Sequence, residues 1–376
     1  MDFDLTTEQQ AIEELAGRLL ADRSTPDALR QVEASEPDRF DRDLWSAMAD
    51  AGLLALVVPE EHGGAGLGIV ELCLLLREVG RRTAALPALA TLGLGALPLA
   101  RWGTAAQQAS VLPGVAGGGT VMTAALAEPL GDPRDPTLVA RPEGDGWVLD
   151  GERSNVPSGM VADVLLVPAL ADGAPEVFLI DAKAPGVVRH RQATTTGTPE
   201  ALVQLDAVRV GPEDRLGDGS DGAQVLSDCV DLASVATCAV MAGVTSEAVR
   251  ITGEYTTARQ QFGRSIASFQ AVTQRAADAY VDAQGIELTM LQAAWRLGAG
   301  LPADREVATA KYWAAAGGQR VVHAAQHLHG GMGVDRDYPL HRYFLLAKQL
   351  ELFLGGANRQ LLRLGGILAE EGPVRA

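Results

Sequence analysis

Two stretches of this sequence decide its interpretation: YTTARQQFGRSIASFQAV, residues 255–272, and HLHGGMGVDRDYPLHRYF, residues 327–344. Their ordinary interpretation is a set of helix ends and turns with amphipathic flanks. The more specific interpretation is a clamp for a nucleotide. Arg259 offers a planar fork of five donors that suits a pyrophosphate, and Phe262 offers an aromatic surface. The glycines of the Gly-Gly-Met-Gly turn would let backbone amides approach phosphate oxygens, with His327 as an additional donor.

The composition is that of an acidic globular protein. The chain has 376 residues, of which 47% are hydrophobic and 21% charged, and this balance excludes wholesale disorder. A net charge of −17 repels phosphate backbones, so we expect no nucleic-acid partner. The three cysteines, Cys73, Cys229 and Cys238, are irregularly spaced, and the acidic start MDFDLTTEQQ does not resemble a signal peptide. Both features predict a cytoplasmic protein without disulfide bonds.

One uncharged run, residues 83–100, could be either a membrane span or buried helices. Its 18 residues are at the lower limit of spanning length. Pro87, Gly93, Gly95 and Pro98 interrupt it. The run therefore predicts a buried helix pair inside a globular domain, and we expect no membrane span.

The character of the sequence changes twice along the chain. Apolar residues at helical spacing prevail before Gly117, short strand-like runs alternate with turns up to the stretch 211–222, and long helical segments follow. Many short strands without intervening helices indicate a small antiparallel barrel or sandwich, and the later segments fit a four-helix bundle. We therefore predict a helical domain over 1–118, a β domain over 119–225 and a helical bundle domain over 226–376.

Two further patterns are typical of binding sites but fit ordinary structure better. GGAGLG at 63–68 lacks the third glycine of the dinucleotide fingerprint, because Ile69 stands there, and it predicts a tight turn. His323, His327 and His329 include a pair four residues apart, as in zinc sites. No third acidic ligand lies nearby in the sequence, so we predict no metal site.

At the two decisive stretches the chain resembles the acyl-CoA dehydrogenase family. The string Arg-x-x-Phe-Gly-x-x-Ile-x-x-Phe-Gln, followed about sixty residues later by Gly-Gly-x-Gly, is specific to that family. Supporting matches are VPEEHGG (58–64), AEP (127–129) and Ala162–Asp163, so the resemblance covers nearly the whole chain. It implies an N-terminal helical domain, a middle antiparallel β-barrel and a C-terminal four-helix bundle, assembled as a tetramer with bound FAD.

In that family the flavin ring lies in one subunit, and the ADP end of FAD reaches the Arg-x-x-Phe and Gly-Gly elements of its neighbour. The resemblance therefore implies that a set of residues holds the ADP half of a neighbour's FAD. These residues are Arg259, Gln261, Phe262, Ile266, Phe269, His327, Leu328 and Gly331. Of these, His327 stands where the family usually has Gln.

The residues with which the family performs its chemistry are replaced in this chain. The family's reaction removes the α-proton of an acyl-CoA thioester with a carboxylate, while the β-hydrogen leaves as a hydride to flavin N5. Only a titratable side chain can act as the base. Leu354 occupies the position of the usual Glu near the C-terminus, and Ala233 that of the alternative Glu in the first bundle helix. We therefore predict that this chain contains no catalytic residue.

The expected contacts with the flavin ring have changed as well. The family's Trp-Ile-Thr strand aligns with Asn155-Val156-Pro157, and proline has neither a hydroxyl group nor an amide hydrogen. After Glu128-Pro129 the chain continues as LGDPRDP, without the Ser of the family's Gly-Ser-Asp. The residues for the flavin ring are therefore lost, while those for the ADP end are retained.

This division is expected of a subunit that completes a partner's cofactor site and has none of its own. The chain resembles the non-catalytic subunits of actinobacterial steroid side-chain acyl-CoA dehydrogenases, which are two-plus-two heterotetramers. The matching segments are FDRDLW (40–45), SFQAVTQRAADAY (268–280), QAAWR (292–296) and the LGG that ends at Gly356. This resemblance implies a catalytic partner subunit that binds most of the acyl-CoA, a substrate from cholesterol side-chain degradation, and an electron-transfer acceptor.

Two other hypotheses remain open at this stage. The first is a self-sufficient homotetrameric acyl-CoA dehydrogenase with a relocated carboxylate base. The carboxylates closest in sequence are Asp228, Asp231, Glu247 and Glu351, and we expect all four to be solvated surface groups. The second is a catalytically silent, DNA-associated member of the superfamily, which the net charge of −17 disfavours.

Overall fold

The structure, a computed structural model, describes residues 4–35, 38–128, 131–219 and 221–371. Helices α1 to α6 are Thr7–Arg23, Pro26–Ser35, Arg42–Asp50, Ile69–Arg81, Leu97–Trp102 and Ala105–Ala116. Strands β1 to β7 are Met122–Ala124, Val139–Glu143, Gly146–Val156, Val164–Ala171, Ala174–Asp181, Val187–Arg191 and Ala201–Val210. Helices α7 to α11 are Gly222–Ala258, Gln270–Gly298, Asp304–His329, Leu340–Leu352 and Ala357–Glu371. The two-residue strands β8, Gln260–Gln261, and β9, Arg264–Ser265, lie between α7 and α8.

The predicted fold class is confirmed: helices come first along the chain, a curled sheet follows, and a helical bundle ends it. The described residues form two compact units. The helical unit comprises 4–26, 73–84 and 237–371, and the sheet unit comprises the described residues within 27–72 and 85–236. The predicted domain boundaries stay a prediction, and both decisive sequence stretches belong to the helical unit.

In the helical unit, α4 and α7 cross at two glycines. A Cβ atom on Gly243 would lie 1.9 Å from the carbonyl oxygen of Arg77, and one on Gly80 would lie 2.1 Å from the carbonyl oxygen of Val240. Both distances are far below van der Waals contact. Only glycine therefore allows these two helix backbones to approach so closely.

The two most apolar segments of the chain are both buried. Helix α7 is long and apolar enough to cross a membrane, but 94% of its most apolar window lies inside the protein, as in the central helix of a bundle. The uncharged run predicted to form buried helices contains a π-helix, Leu89–Ala96, which continues into α5. Its residues 90–96 are all buried, so that prediction is confirmed.

The sheet has the strand order β1-β4-β2-β3-β7-β6, with β5 paired to β4. Consecutive strands β2–β3, β4–β5 and β6–β7 pair antiparallel. Two pairings depart from the predicted antiparallel arrangement, because β1 and β2 each pair parallel with β4. Short turns force antiparallel pairing between consecutive strands, but β4 is reached from β1 and β2 through long connections. The alternation of apolar residues does not encode strand direction across such connections.

Candidate nucleotide-binding site

The candidate clamp begins where α7 ends. Arg259 follows the last helical residue, and β8 and β9 then form a hairpin. Its two turn residues, Phe262 and Gly263, have positive φ values of 54° and 74°, as in a type I′ turn. The amide of Ile266, a half-buried residue, donates to the carbonyl oxygen of Arg259 at 2.9 Å and closes the hairpin at its base.

This hairpin presents a cation and an aromatic ring to solvent. Phe262 is 93% exposed, whereas large apolar side chains are usually buried. Arg259 and Gln261 are exposed too, and within the described parts of the chain the Arg259 guanidinium forms no ion pair. Phe269 meets Phe262 edge to face with ring centroids 6.2 Å apart, and the Arg264 guanidinium lies 4.2 Å from the Phe269 ring centroid.

The other half of the candidate clamp lies at the end of α9. His327 is exposed there and Leu328 is buried. Gly330 has φ 57° and ψ −133°, a combination that only glycine adopts readily. A Cβ atom on Gly331 would meet no atom within 4 Å, whereas one on Gly333 would lie 2.7 Å from a carbonyl oxygen of α9. Gly333 is therefore needed for close packing, and the backbone at Gly331 is open to a ligand.

The ends of α7 and α9, which carry these two halves, contact each other. The ring of Tyr255, in the last turn of α7, stacks on that of His329, the last residue of α9, with centroids 4.3 Å apart. Thr252 of α7 and Leu328 of α9 line one small apolar groove, together with residues of α8. All eight predicted residues thus lie on the helical unit in two neighbouring groups.

The residues present fit the ADP half of FAD. A pyrophosphate requires a cation and amide donors, and an adenine ring requires an apolar or aromatic surface. The exposed Arg259, the exposed Phe262 and the open backbone at Gly331 provide these features. The individual roles of the eight residues in binding stay a prediction.

The two positions that the sequence analysis assigns to the family's base hold buried apolar side chains. Leu354 is 5% exposed and lies in a turn after α10 with φ 57°, and Ala233 is completely buried in α7. The side-chain amide of Gln360 donates to the carbonyl oxygens of Leu354, at 3.1 Å, and Gly355, at 3.4 Å. Neither Leu354 nor Ala233 can accept a proton.

Two of the carboxylates considered as relocated bases are buried in ion pairs of the sheet unit. Asp228 accepts hydrogen bonds from the indole of Trp102, at 2.6 Å, and pairs with Arg101 at 3.0 Å. Asp231 pairs with Arg134. Burial raises the pKa of the Asp228 carboxyl, and the Trp102 and Arg101 contacts act against that rise. The expectation of solvated surface groups is wrong here, because most of α7 is buried, with Asp228 6% and Asp231 8% exposed, and each carboxylate reaches an arginine that is nearer to solvent.

The other two candidate carboxylates are also ion-paired. Glu247 is 3% exposed and pairs with Arg250 at 2.7 Å, so the expectation of a solvated group is wrong for it too. Glu351 is half-buried and pairs with Lys348 at 2.6 Å, one turn away on α10. Each of the four carboxylates therefore has a basic partner.

The end of β3 and the residues after it, Asn155-Val156-Pro157, align with the family's flavin-ring strand. Their backbone polar groups form hydrogen bonds within the sheet unit. The amide of Asn155, which has φ 53°, donates to the side-chain oxygen of Gln192 at 2.6 Å. The carbonyl oxygen of Pro157 accepts the hydroxyl group of Thr123 at 2.5 Å. The Asn155 amide and the Thr123 hydroxyl group therefore donate within the sheet unit, and neither is a free donor for a flavin ring.

A buried ion pair anchors the stretch AEP to strand β3. The carboxylate of Glu128 lies 2.8 Å from the Arg153 guanidinium, and their side chains are 6% and 5% exposed. The same carboxylate accepts the amide and hydroxyl of Thr137. Burial lowers the pKa of Arg153 from its ordinary value. The neighbouring residues 129–130 of this motif lie outside the described residues.

The turn and histidine patterns have ordinary structural roles. GGAGLG forms the predicted tight turn, in which Gly63 and Gly66 have positive φ and a Cβ atom on Gly64 would overlap the Val58 carbonyl oxygen. His323 lies at the surface, whereas His329 is buried. Among the residues that the structure describes, no three His, Cys, Asp or Glu side chains are grouped to hold a metal ion.

Sequence reasoning missed Lys311, which is fully buried in α9. Its Nζ donates to the carbonyl oxygens of Leu350, at 3.0 Å, and Glu351, at 3.2 Å, where α10 ends before Leu354. Burial lowers the pKa of this amine to about 8. A signal was available, because the residues three and four positions before and after Lys311 are Val or Ala, which places the lysine on an apolar helix face.

Comparison with known sequences identifies the same family at both ends of the chain. The acyl-CoA dehydrogenase N-terminal domain matches residues 6–119, and the acyl-CoA dehydrogenase C-terminal domain matches residues 220–368. Acyl-CoA dehydrogenase FadE27 of Mycobacterium tuberculosis is 40% identical, and the alignment covers 98% of this chain and 99% of that protein.

Solved structures show the same similarity. The ChsE4–ChsE5 complex from Mycobacterium tuberculosis contains a chain that is 41% identical, with a TM-score of 0.93 and full coverage of both chains. The Tcur3481–Tcur3483 steroid ACAD, solved as a variant, contains one that is 43% identical, with a TM-score of 0.91 over 97% of this chain and 98% of that one. PigA, solved with FAD, shares the fold at 23% identity. This chain belongs to the acyl-CoA dehydrogenase family of oxidoreductases.

Proposed function

We propose that this chain is the cofactor-completing subunit of a heteromeric, FAD-dependent acyl-CoA dehydrogenase. It holds the ADP half of an FAD whose flavin ring lies in a catalytic partner subunit. The partner provides the base, binds most of the acyl-CoA and passes electrons to an acceptor. We further propose a cytoplasmic two-plus-two heterotetramer whose substrate is a steroid side-chain CoA thioester.

The observation that carries this proposal is the contrast between two regions of one chain. The hairpin at Phe262 exposes an aromatic ring and the cation of Arg259, which suit a nucleotide that approaches from outside the chain. The positions that would perform proton abstraction hold Leu354 and Ala233. A chain that kept its own chemistry would need a titratable group at one of these positions.

Bound FAD would supply the hydride acceptor of the reaction, and this chain's residues would act only on its nucleotide end. Arg259 would neutralise pyrophosphate charge with paired hydrogen bonds, and Phe262 would cover an apolar face of the nucleotide. The open backbone at Gly331 would donate amides to phosphate oxygens. These contacts fix the cofactor's position without taking part in the chemical step.

The similarities support the remaining parts of the proposal. The ChsE4–ChsE5 structure is a complex of two different subunits, and the Tcur3481–Tcur3483 enzyme is a steroid ACAD. Both similarities extend over at least 97% of this chain. They favour a partner subunit and a steroid-derived acyl group over a self-sufficient enzyme for short acyl chains.

The flavin content of purified protein tests the proposal directly. The chain is expressed alone and together with the product of its adjacent gene, and FAD is quantified against protein by absorbance. We expect a colourless lone chain, and a yellow complex with about one FAD per pair of unlike subunits that reduces its flavin with an acyl-CoA. A yellow homotetramer of the lone chain that oxidises acyl-CoA would show that the chain is a self-sufficient enzyme.

Replacement of Arg259 tests the assigned face. Loss of a charge-assisted contact typically weakens binding by about 1.5–3 kcal/mol, so Arg259→Ala in the complex should raise the Kd for FAD by roughly 10- to 100-fold. Arg275→Ala is the matched control, because Arg275 is also an exposed arginine of the helical unit and belongs to neither half of the clamp. Equal FAD affinity in both variants would contradict the proposal.

A further inference from the structure

An aromatic cluster joins the two halves of the candidate clamp. His329 is 2% exposed at the end of α9, and its ring stacks on Tyr255 with centroids 4.3 Å apart and 23° between planes. Its Nε2 lies 3.2 Å from the hydroxyl oxygen of Tyr338, and the ring centroids are 5.2 Å apart. Tyr255 and Tyr338 also contact each other edge to face at 6.3 Å.

Each member of this cluster belongs to a different segment of the clamp. Tyr255 lies one turn before Arg259, and the Arg259 amide donates to its carbonyl oxygen at 2.8 Å. His329 directly precedes Gly330 and Gly331. Tyr338 lies in the connection from the glycine turn to α10. The cluster therefore sets where the Arg259 end of α7 lies relative to the glycine turn.

The hydrogen bonds of the imidazole define its form. Nδ1 lies 2.8 Å from the carbonyl oxygen of Ala325, which can only accept, so Nδ1 carries the proton. Nε2 is then the acceptor for the hydroxyl group of Tyr338. Burial lowers the pKa of His329, which agrees with a neutral ring. Both ring nitrogens are occupied within the protein, so His329 cannot contact a ligand through them.

We propose that His329 is a positioning residue for FAD: through Tyr255 and Tyr338 it holds Arg259 and the glycine turn at the separation at which both contact one pyrophosphate. This role rests on the proposed function and extends it to residues that do not touch the cofactor. Bound FAD gains affinity because the two halves of its site are already oriented before binding.

The test uses the complex of this chain with its partner subunit. FAD is removed and titrated back, and its Kd is measured by flavin fluorescence, with the melting temperature of the FAD-free complex recorded in parallel. His329→Phe keeps a ring for stacking but loses both hydrogen bonds, and Tyr338→Phe removes only the hydroxyl group. His323→Phe, an exposed histidine of the same helix, is the control.

We expect Tyr338→Phe to raise the Kd for FAD by roughly 3- to 10-fold, the effect of one lost hydrogen bond, and His329→Phe, which loses two, to raise it by at least as much, while His323→Phe leaves it unchanged. The double variant His329→Phe/Tyr338→Phe should have the same Kd for FAD as His329→Phe alone, because both changes remove the hydrogen bond between these two residues. If His329→Phe fails to assemble, Tyr338→Phe decides alone, since it changes a single hydroxyl group.

Two results would overturn separate parts of the argument. In the first result, the cluster variants have a lower melting temperature but an unchanged Kd for FAD, while Arg259→Ala still weakens FAD binding. His329 would then have only a structural role. An unchanged Kd in Arg259→Ala as well would mean that this face does not bind FAD, and the proposed function itself would fail.

Discussion

Lys311 places a buried amino group where a helix ends. The carbonyl oxygens of Leu350 and Glu351 that accept from it are among the last of α10 and have no amide partner further along that helix. The helix dipole adds negative potential at this end, which favours a cation. Desolvation acts in the opposite direction and prevails, so the pKa falls from 10.5 to about 8. The amine is therefore still protonated at neutral pH.

This lowered pKa predicts a pH-dependent stability. Between about pH 8 and 10.5 the folded chain binds fewer protons at Lys311 than the unfolded chain, so folding becomes more favourable as pH rises. We expect the native protein to gain on the order of 3 kcal/mol relative to Lys311→Met across this window. Chemical unfolding at both ends of the window measures the difference. A flat difference between the native protein and Lys311→Met across this window would refute the assignment.

The crossing of α4 and α7 makes a prediction for a pair of elements. Gly243→Ala would place a methyl group 1.9 Å from the Arg77 carbonyl oxygen, so the helices must separate. We expect a loss of about 3 kcal/mol of unfolding free energy, the upper part of the range for overpacking. Gly253→Ala lies on the same helix with no atom within 4 Å and should stabilise the protein by about 0.5–1 kcal/mol. Thermal unfolding of both variants checks the contrast, and equal melting temperatures would argue against a tight crossing.

At the scale of the whole molecule, one face of α8 predicts a contact with another subunit. Val281, Leu288 and Trp295 are spaced by seven residues on this helix and are 63%, 48% and 42% exposed. Such an apolar stripe is typical of a helix that packs against another chain. We expect Leu288→Glu to reduce co-purification with the partner subunit. Leu15→Glu is the control, because Leu15 is a lone exposed leucine on α1. Size-exclusion chromatography measures both, and an intact complex with Leu288→Glu would contradict this role.

Much of the fold was predictable because its signals are local. The helices and hairpins follow from apolar spacing and turn residues that act within a few positions of the chain. The exception is the close crossing of α4 and α7 at two glycines, which depends on a contact between distant segments. The type I′ turn at Phe262-Gly263 and the turn at Gly330 also rest on short-range preferences. The nucleotide-binding residues were therefore accessible from the sequence.

The parts that could not be predicted depend on contacts between distant segments. The parallel pairing of β1 with β4 joins residues about forty positions apart. The partners of Asp228 and Asp231 lie on other elements, so the burial of these carboxylates has no local signal in the sequence. His329 was considered only as a metal ligand, because its stacking on Tyr255 brings together residues 74 positions apart.

The hairpin at Phe262 has a consequence for the cell as well as for the cofactor. The Phe262 ring, which is 93% exposed, can make nonspecific apolar contacts with other proteins for as long as the partner subunit is absent. If the proposed assembly is correct, surplus copies of this chain would aggregate or be degraded. The exposed ring in the Phe262-Gly263 turn would then require that this chain and its partner subunit be synthesised in equal amounts.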